Sequence, residues 1–215
     1  MKRIVVLISG SGSNLQAIID HLQDQDYGTI CAVISNRAEV MGLERAKKAG
    51  IDALTLSHKA FDSREAFDAA LQEQIDIYEP DLVVLAGFMR ILTPEFTRHY
   101  AGRMFNIHPS LLPLYKGLHT HRQALEAGDK RHGATVHFVT EELDGGPLLI
   151  QGVVPILESD SEDELASRVH QVEHKIYPMA VEWFCRGRVA LENGRVILDD
   201  HPLERSGYRY ELESC

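Results

Sequence analysis

The sequence predicts an α/β fold: a Rossmann-like, mostly parallel twisted sheet with helices on both faces and an antiparallel C-terminal extension. In the first half, short apolar β-branched runs alternate with amphipathic stretches, which favours parallel strands joined by right-handed crossovers. In the second half, two apolar runs flank Asp144-Gly145-Gly146-Pro147, a turn too short for a crossover helix. The length of 215 residues suits one domain. We therefore expect a single domain over residues 1–215, with a loose tail from about residue 203.

The elements of the first half follow from their apolar patterns. Strands are predicted at Ile4–Ile8, Ile30–Ile34, Ala53–Leu56, Leu82–Ala86 and Met104–Ile107. Helices are predicted at Asn14–Leu22, Met41–Ala49 and Asp62–Tyr78, and again from Thr93. Asp62 with Glu65 three residues later matches a capping box, and Thr93 followed by Pro94 matches a cap with proline at the first helical position.

The second half predicts an antiparallel pair of strands, a long helix and a hairpin. The pair comprises Thr135–Val139 and Leu148–Ile156. Ser161 with Glu164 is a second capping box, and it opens a helix to about Phe184. The short apolar runs around Asn193-Gly194 are typical of a hairpin.

Composition and charge favour a cytoplasmic protein that binds small molecules. Acidic residues outnumber basic ones by 32 to 22, which gives a net charge of −10 and disfavours nucleic acid or anionic lipid as partners. No apolar run approaches the ~20 residues that a spanning helix needs, and the N-terminus shows no secretory cleavage pattern. Cys31, Cys185 and Cys215 are scattered and odd in number, which indicates a reducing compartment. Cys31 lies in an apolar strand and is expected to be a packing residue.

Polar sequences follow three of the predicted parallel strands. They are Ser9–Asn14 after the first strand, Gly87–Arg90 after the fourth, and Asn106–Pro109 at the end of the fifth. In an open parallel sheet, ligands bind beyond the carboxyl ends of the strands. We therefore expect all three sequences to lie along one edge of the sheet and to form the site.

Two of these motifs have two interpretations each. The glycine- and serine-rich loop before the first helix is either a phosphate site at a helix N-terminus or a tight turn. It lacks the lysine of a P-loop and the third glycine of a dinucleotide fingerprint. Asn106 and His108, two apart on a strand, either donate hydrogen bonds to an oxyanion or hold the following loop.

Three further features carry weaker signals. Asp144 either orients His108, or holds a water, or only forms a glycine turn. Glu173 falls with the apolar face of the long helix, where it needs a partner, unless it stands half-exposed at the edge of that face. His119-Thr120-His121 has no third ligand nearby in the sequence, so no metal site is expected.

Taken together, the motifs resemble one family. They are Val5–Ile18, Leu85–Leu92, Asn106–Pro113 and the stretch from Gly133 to Gly146 that ends in Leu143-Asp144-Gly145-Gly146. The chain resembles the phosphoribosylglycinamide formyltransferase family, folate-dependent enzymes of purine synthesis, over roughly residues 3 to 190. The resemblance implies transfer of a formyl group from 10-formyltetrahydrofolate, as co-substrate, to the amine of glycinamide ribonucleotide, without a metal, by a monomer or homodimer.

The resemblance also implies residue roles. Asn106, His108 and Asp144 match the catalytic positions. Gly12, Ser13 and Asn14 match the phosphate loop, and Glu173 matches a ribose contact. The positions that match folate contacts are Arg64, Met89, Arg90, Ile91, Leu92, Asn106, Val139, Thr140, Glu141 and Glu142.

Three alternative functions stay open at this point. A formyltetrahydrofolate hydrolase resembles this family with an added N-terminal regulatory domain, which we do not expect because the first strand starts at residue 3. Methionyl-tRNA formyltransferase carries a C-terminal nucleic-acid-binding domain, and the acidic chain disfavours it. A noncatalytic nucleotide-binding module would use the glycine loop alone.

Overall fold

A computed structural model describes residues 1–212 of the chain, which divides into two compact units. The first unit comprises residues 1–106 and 139–141, and the second comprises residues 107–138 and the chain from residue 142. The strands that begin in the first unit are β1 (Lys2–Ile8), β2 (Gly28–Ser35), β3 (Asp52–Thr55), β4 (Leu82–Leu85) and β5 (Met104–His108). Its helices are α1 (Ser13–Leu22), α2 (Met41–Lys48), α3 (Arg64–Asp76) and α4 (Pro94–His99), with a 3₁₀ turn at His58–Ala60.

The strands of the first unit are parallel and follow the order β3-β2-β1-β4-β5. Their carboxyl ends are level, because Ile8 pairs with Ser35 and Leu7 pairs with Leu85. The loop after β1 and the segment after β4 therefore start at the same edge of the sheet, as the sequence predicts.

Helices cover both faces of this part of the sheet. On one face, α3 and α4, with the residue that follows α4, contribute Phe67, Leu71, Ile75, Phe96 and Tyr100 to a buried cluster with alternate residues of β1, β2 and β4. On the other face, Gly42 of α2 lies against Ile8 of β1 so closely that an added Cβ would stand 2.3 Å from its Cδ1. Because helices bury both faces of these strands, the strands are apolar throughout.

The second unit contains two helices and two sets of strands. Its elements are α5 (Thr120–Ala127), β6 (Arg131–Phe138), β7 (Leu148–Pro155), α6 (Glu162–Cys185), β8 (Val189–Glu192), β9 (Arg195–Leu198), β10 (His201–Pro202) and β11 (Tyr208–Glu211). Strands β6 and β7 pair antiparallel, β11 pairs parallel with β7, and β8, β9 and β10 form a small antiparallel sheet. Helix α6 packs on β7 at Gly152, where an added Cβ would stand 2.5 Å from Val172.

The predicted fold class is confirmed: within residues 1–212, eight strands belong to a mostly parallel main sheet and three to the small sheet. The predicted antiparallel pair, the long helix with its capping box and the C-terminal hairpin are all present. The prediction of one domain over residues 1–215 stays a prediction. The prediction of a loose tail from about residue 203 is wrong for Tyr208–Glu211, which form β11 and pair with β7, and the last three residues, with Cys215, lie outside the described residues. None of the helices in residues 1–212 has the length and apolar character that a membrane crossing requires.

One further predicted detail is wrong, and one helix was not predicted. Helix α3 is capped by Ser63, whose hydroxyl accepts the Ala66 N–H at 3.1 Å, and the capping box at Asp62 does not form. Helix α5 was not predicted, because its buried residues are only Thr120 and Ala124, too few to produce an apolar stripe.

Candidate active site

In the first unit, the glycine-rich loop lies between β1 and the N-terminus of α1. Gly12 adopts a left-handed φ of 71°, and a Cβ placed on it would stand 2.6 Å from the Cα of Gly42. Both the backbone conformation and the close approach therefore require glycine at this position. Ser13 begins the helix, so the loop presents backbone at a helix N-terminus, the geometry that suits a phosphate.

Helix α2 supports this loop. The Arg45 guanidinium donates from Nε to the Ser11 carbonyl at 2.8 Å, and the Gly42 N–H donates to the Gly10 carbonyl at 3.1 Å. Sequence reasoning missed both residues, because an arginine and a glycine inside an amphipathic helix carry no signal of their own. The Arg45 guanidinium therefore places a positive charge beside the loop, although Arg45 lies outside the loop sequence.

The segment after β4 combines exposed apolar side chains with a half-buried cation. Met89 and Ile91 are 63% and 56% exposed, an unusual exposure for large apolar side chains at a strand end. The Arg90 guanidinium lies 5.3 Å from the centroid of the Phe67 ring, within the range of a cation–π contact. Leu92 packs against the buried cluster of the first unit. The segment can therefore offer both apolar surface and positive charge to a ligand.

Asp68 of α3 fixes the end of this segment. Its Oδ2 accepts the Thr93 N–H at 2.6 Å, at the N-cap of α4. Burial raises the pKa of the Asp68 carboxyl, against the opposing effects of the Thr93 hydrogen bonds and of the nearby Arg64 and Arg90 charges. Arg64 itself is exposed, at the first position of α3.

Val139, Thr140 and Glu141, which also belong to the first unit and match folate contacts, differ in their surroundings. Val139 donates its N–H to the Met104 carbonyl at 2.9 Å and packs against the buried cluster. Thr140 is half-buried. Glu141 is exposed and forms an ion pair with Arg98 at 2.6 Å.

The second unit brings together two of the predicted catalytic side chains. His108 Nδ1 lies 3.5 Å from Asp144 Oδ1, and both side chains are only 7% exposed. His108 Nε2 lies 2.8 Å from the Tyr115 carbonyl, and Asp144 Oδ2 accepts the Gly117 N–H at 3.0 Å. Both groups that face the imidazole, a carboxylate at Nδ1 and a backbone carbonyl at Nε2, are hydrogen-bond acceptors.

Residues 114–117, which we call the strap, supply these backbone partners. The strap is fixed by the Tyr115 hydroxyl, which donates to Asp129 at 2.6 Å, and by Lys116, which forms an ion pair with Glu142 at 2.9 Å. The Ser110 hydroxyl also donates to the Leu114 carbonyl at 2.5 Å. The sequence did not predict that this segment contacts His108 and Asp144, since the contacts are made by backbone groups.

Asn106 and His108 are alternate residues of β5, so their side chains leave the same face of the strand. Asn106 is half-buried and His108 is buried. Both side chains contain N–H groups that can donate hydrogen bonds.

Glu173 lies on the buried face of α6 and is 5% exposed, as the first of its two interpretations predicts. Burial, and secondarily the Glu173 charge, raises the pKa of the Tyr177 hydroxyl well above its usual value. A buried carboxylate of this kind can accept hydrogen bonds from ligand hydroxyl groups.

The histidine-rich segment forms a hydrogen-bonded pair. His121 Nδ1 lies 3.1 Å from His132 Nε2. Burial lowers the pKa of His132 to about 4 and also lowers that of His121, so both rings are neutral at pH 7 and can share one proton between them. Across residues 1–212, no three His, Cys, Asp or Glu side chains come together in a group that could hold a metal ion.

A cavity of about 760 Å³ opens beside Asp144 in the second unit. One side is formed by the glycine turn and Lys116, and the other by the β8–β9 turn with the residues that follow β10. The cavity therefore borders both the Asp144 loop and Lys116 of the strap.

Comparison with known proteins identifies the family. Residues 2–181 match the formyl transferase family model. The chain is 59% identical over 206 residues to the phosphoribosylglycinamide formyltransferase of Escherichia coli, which covers 95% of this chain and 97% of that protein. It is 48% identical over 212 residues to the enzyme of the same name from Haemophilus influenzae, covering 98% of this chain and 100% of that protein.

The fold agrees with this assignment. The structure of phosphoribosylglycinamide formyltransferase from Coxiella burnetii in complex with CHES superposes with a TM-score of 0.94 at 51% identity, covering 97% of this chain and 99% of that one. The matched residues include every predicted site residue, from Gly12 to Glu173. The chain belongs to the formyl transferase family.

Proposed function

We propose that this chain is a phosphoribosylglycinamide formyltransferase of purine biosynthesis. It transfers the formyl group of 10-formyltetrahydrofolate to the amine of N1-(5-phospho-D-ribosyl)glycinamide, in the cytoplasm, as a monomer or homodimer. The observation that carries the proposal is the buried pair of His108 and Asp144, with Asn106 two residues from His108 on β5. Its relatives of that name match nearly the full chain.

The reaction is a direct acyl transfer. The neutral amine attacks the formyl carbon and forms a carbon–nitrogen bond, while the formyl oxygen gains negative charge. Asn106 and a doubly protonated His108 donate hydrogen bonds to this oxygen, and Asp144 compensates the imidazolium charge. The bond from carbon to the folate nitrogen N10 then breaks, and the proton lost by the amine passes to N10, with Asp144 assisting through water.

The strap defines how the formyl oxygen reaches His108. Nε2 is occupied by the Tyr115 carbonyl at 2.8 Å, so the formyl oxygen takes over the position of this carbonyl. The exchange replaces one acceptor with another, and the imidazolium keeps a partner on each nitrogen throughout.

The remaining residues bind and orient the two substrates. Gly12, Ser13 and Asn14 bind the phosphate of the nucleotide, supported by Arg45, and Glu173 accepts the ribose hydroxyl groups. The folate contacts Arg64, the segment Met89–Leu92, Asn106 and the segment Val139–Glu142. The exposed apolar side chains of Met89 and Ile91 pack against its ring system.

The test is folate release from 10-formyltetrahydrofolate, followed by absorbance with and without glycinamide ribonucleotide. Release that requires the nucleotide and yields formylated nucleotide is the expected result. Release without the nucleotide would identify a hydrolase. Nucleotide binding without release would identify a binding module and overturn the proposal.

A further inference from the structure

A single buried hydroxyl joins residues that follow three adjacent strands of the first unit. The Ser9 hydroxyl donates to Asn36 Oδ1 at 2.5 Å and accepts the Met89 N–H at 2.8 Å. Ser9 and Asn36 are each 3% exposed. Ser9 is the first residue after β1, Asn36 is the first after β2, and Met89 lies in the segment after β4.

The two bonded partners of Ser9 belong to different parts of the site. Ser9 leads directly into the glycine-rich loop, whose Gly12 backbone is fixed by contact with α2. Met89 leads directly into Arg90 and the exposed Ile91. The hydroxyl therefore connects the start of one ligand-binding segment to the start of the other.

The direction of this hydrogen bond is set by Asn36. A serine hydroxyl has one proton, and because Ser9 donates it to the Asn36 carbonyl oxygen, its lone pairs are left to accept the Met89 N–H. The other end of the Asn36 amide, Nδ2, lies 3.3 Å from His58 Nδ1, and the same ring nitrogen lies 3.4 Å from the Asn36 backbone carbonyl oxygen. Buried polar groups that lose their partners are costly, so the arrangement resists distortion.

We propose that Ser9 and Asn36 are positioning residues that fix the phosphate loop relative to the folate-binding segment. The inference rests on the proposed function, which assigns one segment to each substrate. Neither residue contacts a substrate, and their effect is exerted through the backbone of Met89 and of the loop after Ser9. Disturbing the hydroxyl should therefore weaken the binding of both substrates at once.

The experiment compares four variants of the full chain by steady-state kinetics. Ser9→Ala removes the bridge, Asn36→Leu removes the acceptor that directs it, and Asn36→Asp restores an acceptor oxygen. Ser35→Ala is the matched control, because Ser35 is equally buried but its hydroxyl bonds only to the backbone of Arg37. Thermal unfolding of each variant shows that it is folded.

We expect Ser9→Ala and Asn36→Leu to raise the KM for both substrates by about two- to tenfold, the loss of one net hydrogen bond. Asn36→Asp should stay near the wild-type values, and Ser35→Ala should leave both KM values unchanged. A Ser9→Ala enzyme with unchanged KM values, a rise for one substrate only, or an equal rise in Ser35→Ala would each overturn the inference. If Ser9→Ala does not fold, the contrast between the two Asn36 variants decides.

The same measurement separates this inference from the proposed function. An inactive wild type would overturn the proposed function, and the assignment of the two segments with it. An active wild type with an unperturbed Ser9→Ala variant would overturn only the positioning role.

Discussion

Replacement of Asp144 by asparagine tests the charge relationship on which the proposed mechanism depends. Asp144 Oδ1 lies 3.5 Å from His108 Nδ1, with both side chains 7% exposed. At an effective dielectric constant of about 20, unit charges at this separation interact by roughly 5 kcal/mol. The substitution keeps an oxygen for the Gly117 N–H and turns the amide Nδ2 toward His108 Nδ1, so the strap contact is preserved while both the charge and the acceptor that face His108 are removed.

We expect Asp144→Asn to lower kcat by about 10²–10³, the usual consequence of losing one element of oxyanion stabilisation. This corresponds to ~3–4 kcal/mol, which is within the Coulombic interaction that the geometry offers. The KM values should change less than kcat, because the charge acts on the transition state. The assay is nucleotide-dependent folate release, measured by absorbance at saturating concentrations of both substrates.

Asp129→Asn is the matched control. It also replaces a second-unit carboxylate with an amide, and its oxygen can still accept the Tyr115 hydroxyl, which now contacts Asp129 at 2.6 Å. This variant should keep kcat within about threefold of wild type, since the hydrogen bond survives and no catalytic charge is lost. If Asp144→Asn kept a kcat as high as that of this control, the assigned role of Asp144 would be refuted.

Three further predictions concern the loop and the stability of the fold. Gly12→Ala should abolish nucleotide binding, and turnover with it, because its Cβ would stand 2.6 Å from Gly42 Cα in a backbone conformation with φ 71°; the check is nucleotide binding by calorimetry, and wild-type affinity would contradict it. Asp68→Asn should stabilise the fold at pH 7, because burial raises the folded-state pKa of this carboxyl above its usual 3.8. The wild-type free energy of unfolding falls as pH rises from 3.8 to the folded-state pKa of Asp68, because the carboxyl loses its proton over that range. Urea unfolding should therefore show the two proteins converging in stability below pH 3.8. Ser161→Ala should lower the free energy of unfolding by about 0.5–2 kcal/mol, because the capping box with Glu164 is lost; an unchanged urea midpoint would argue against it.

The architecture was predictable because its signals are local. Strands β1 and β4 are continuous apolar runs bounded by glycine or polar residues. The start of α6 is marked by the capping box of Ser161 and Glu164. The error at α3 is also local. Asp62 and Ser63 are both good caps, and only the position of the Ser63 hydroxyl against the Ala66 N–H decides between them.

The site was only partly predictable, because sequence motifs report side chains and not backbone partners. His108 and Asp144 were identified as residues, and the structure brings them to 3.5 Å. Their other partners are the Tyr115 carbonyl and the Gly117 N–H, which every residue type possesses and no motif can mark. Residues 114–117 consequently carry no motif in the sequence, although they make two of the contacts to the catalytic pair.

These backbone contacts have a physical purpose in the proposed mechanism. A buried imidazolium and carboxylate without partners would each cost several kcal/mol or would change protonation state. The strap supplies one acceptor to His108 and one donor to Asp144, so the pair remains satisfied when no substrate is bound. When the formyl oxygen takes the place of the Tyr115 carbonyl oxygen at Nε2, His108 keeps a hydrogen bond and the Tyr115 carbonyl gives one up. The oxygen becomes a better acceptor than the Tyr115 carbonyl only as negative charge develops on it, and the strap thereby reserves the stronger hydrogen bond for the transition state.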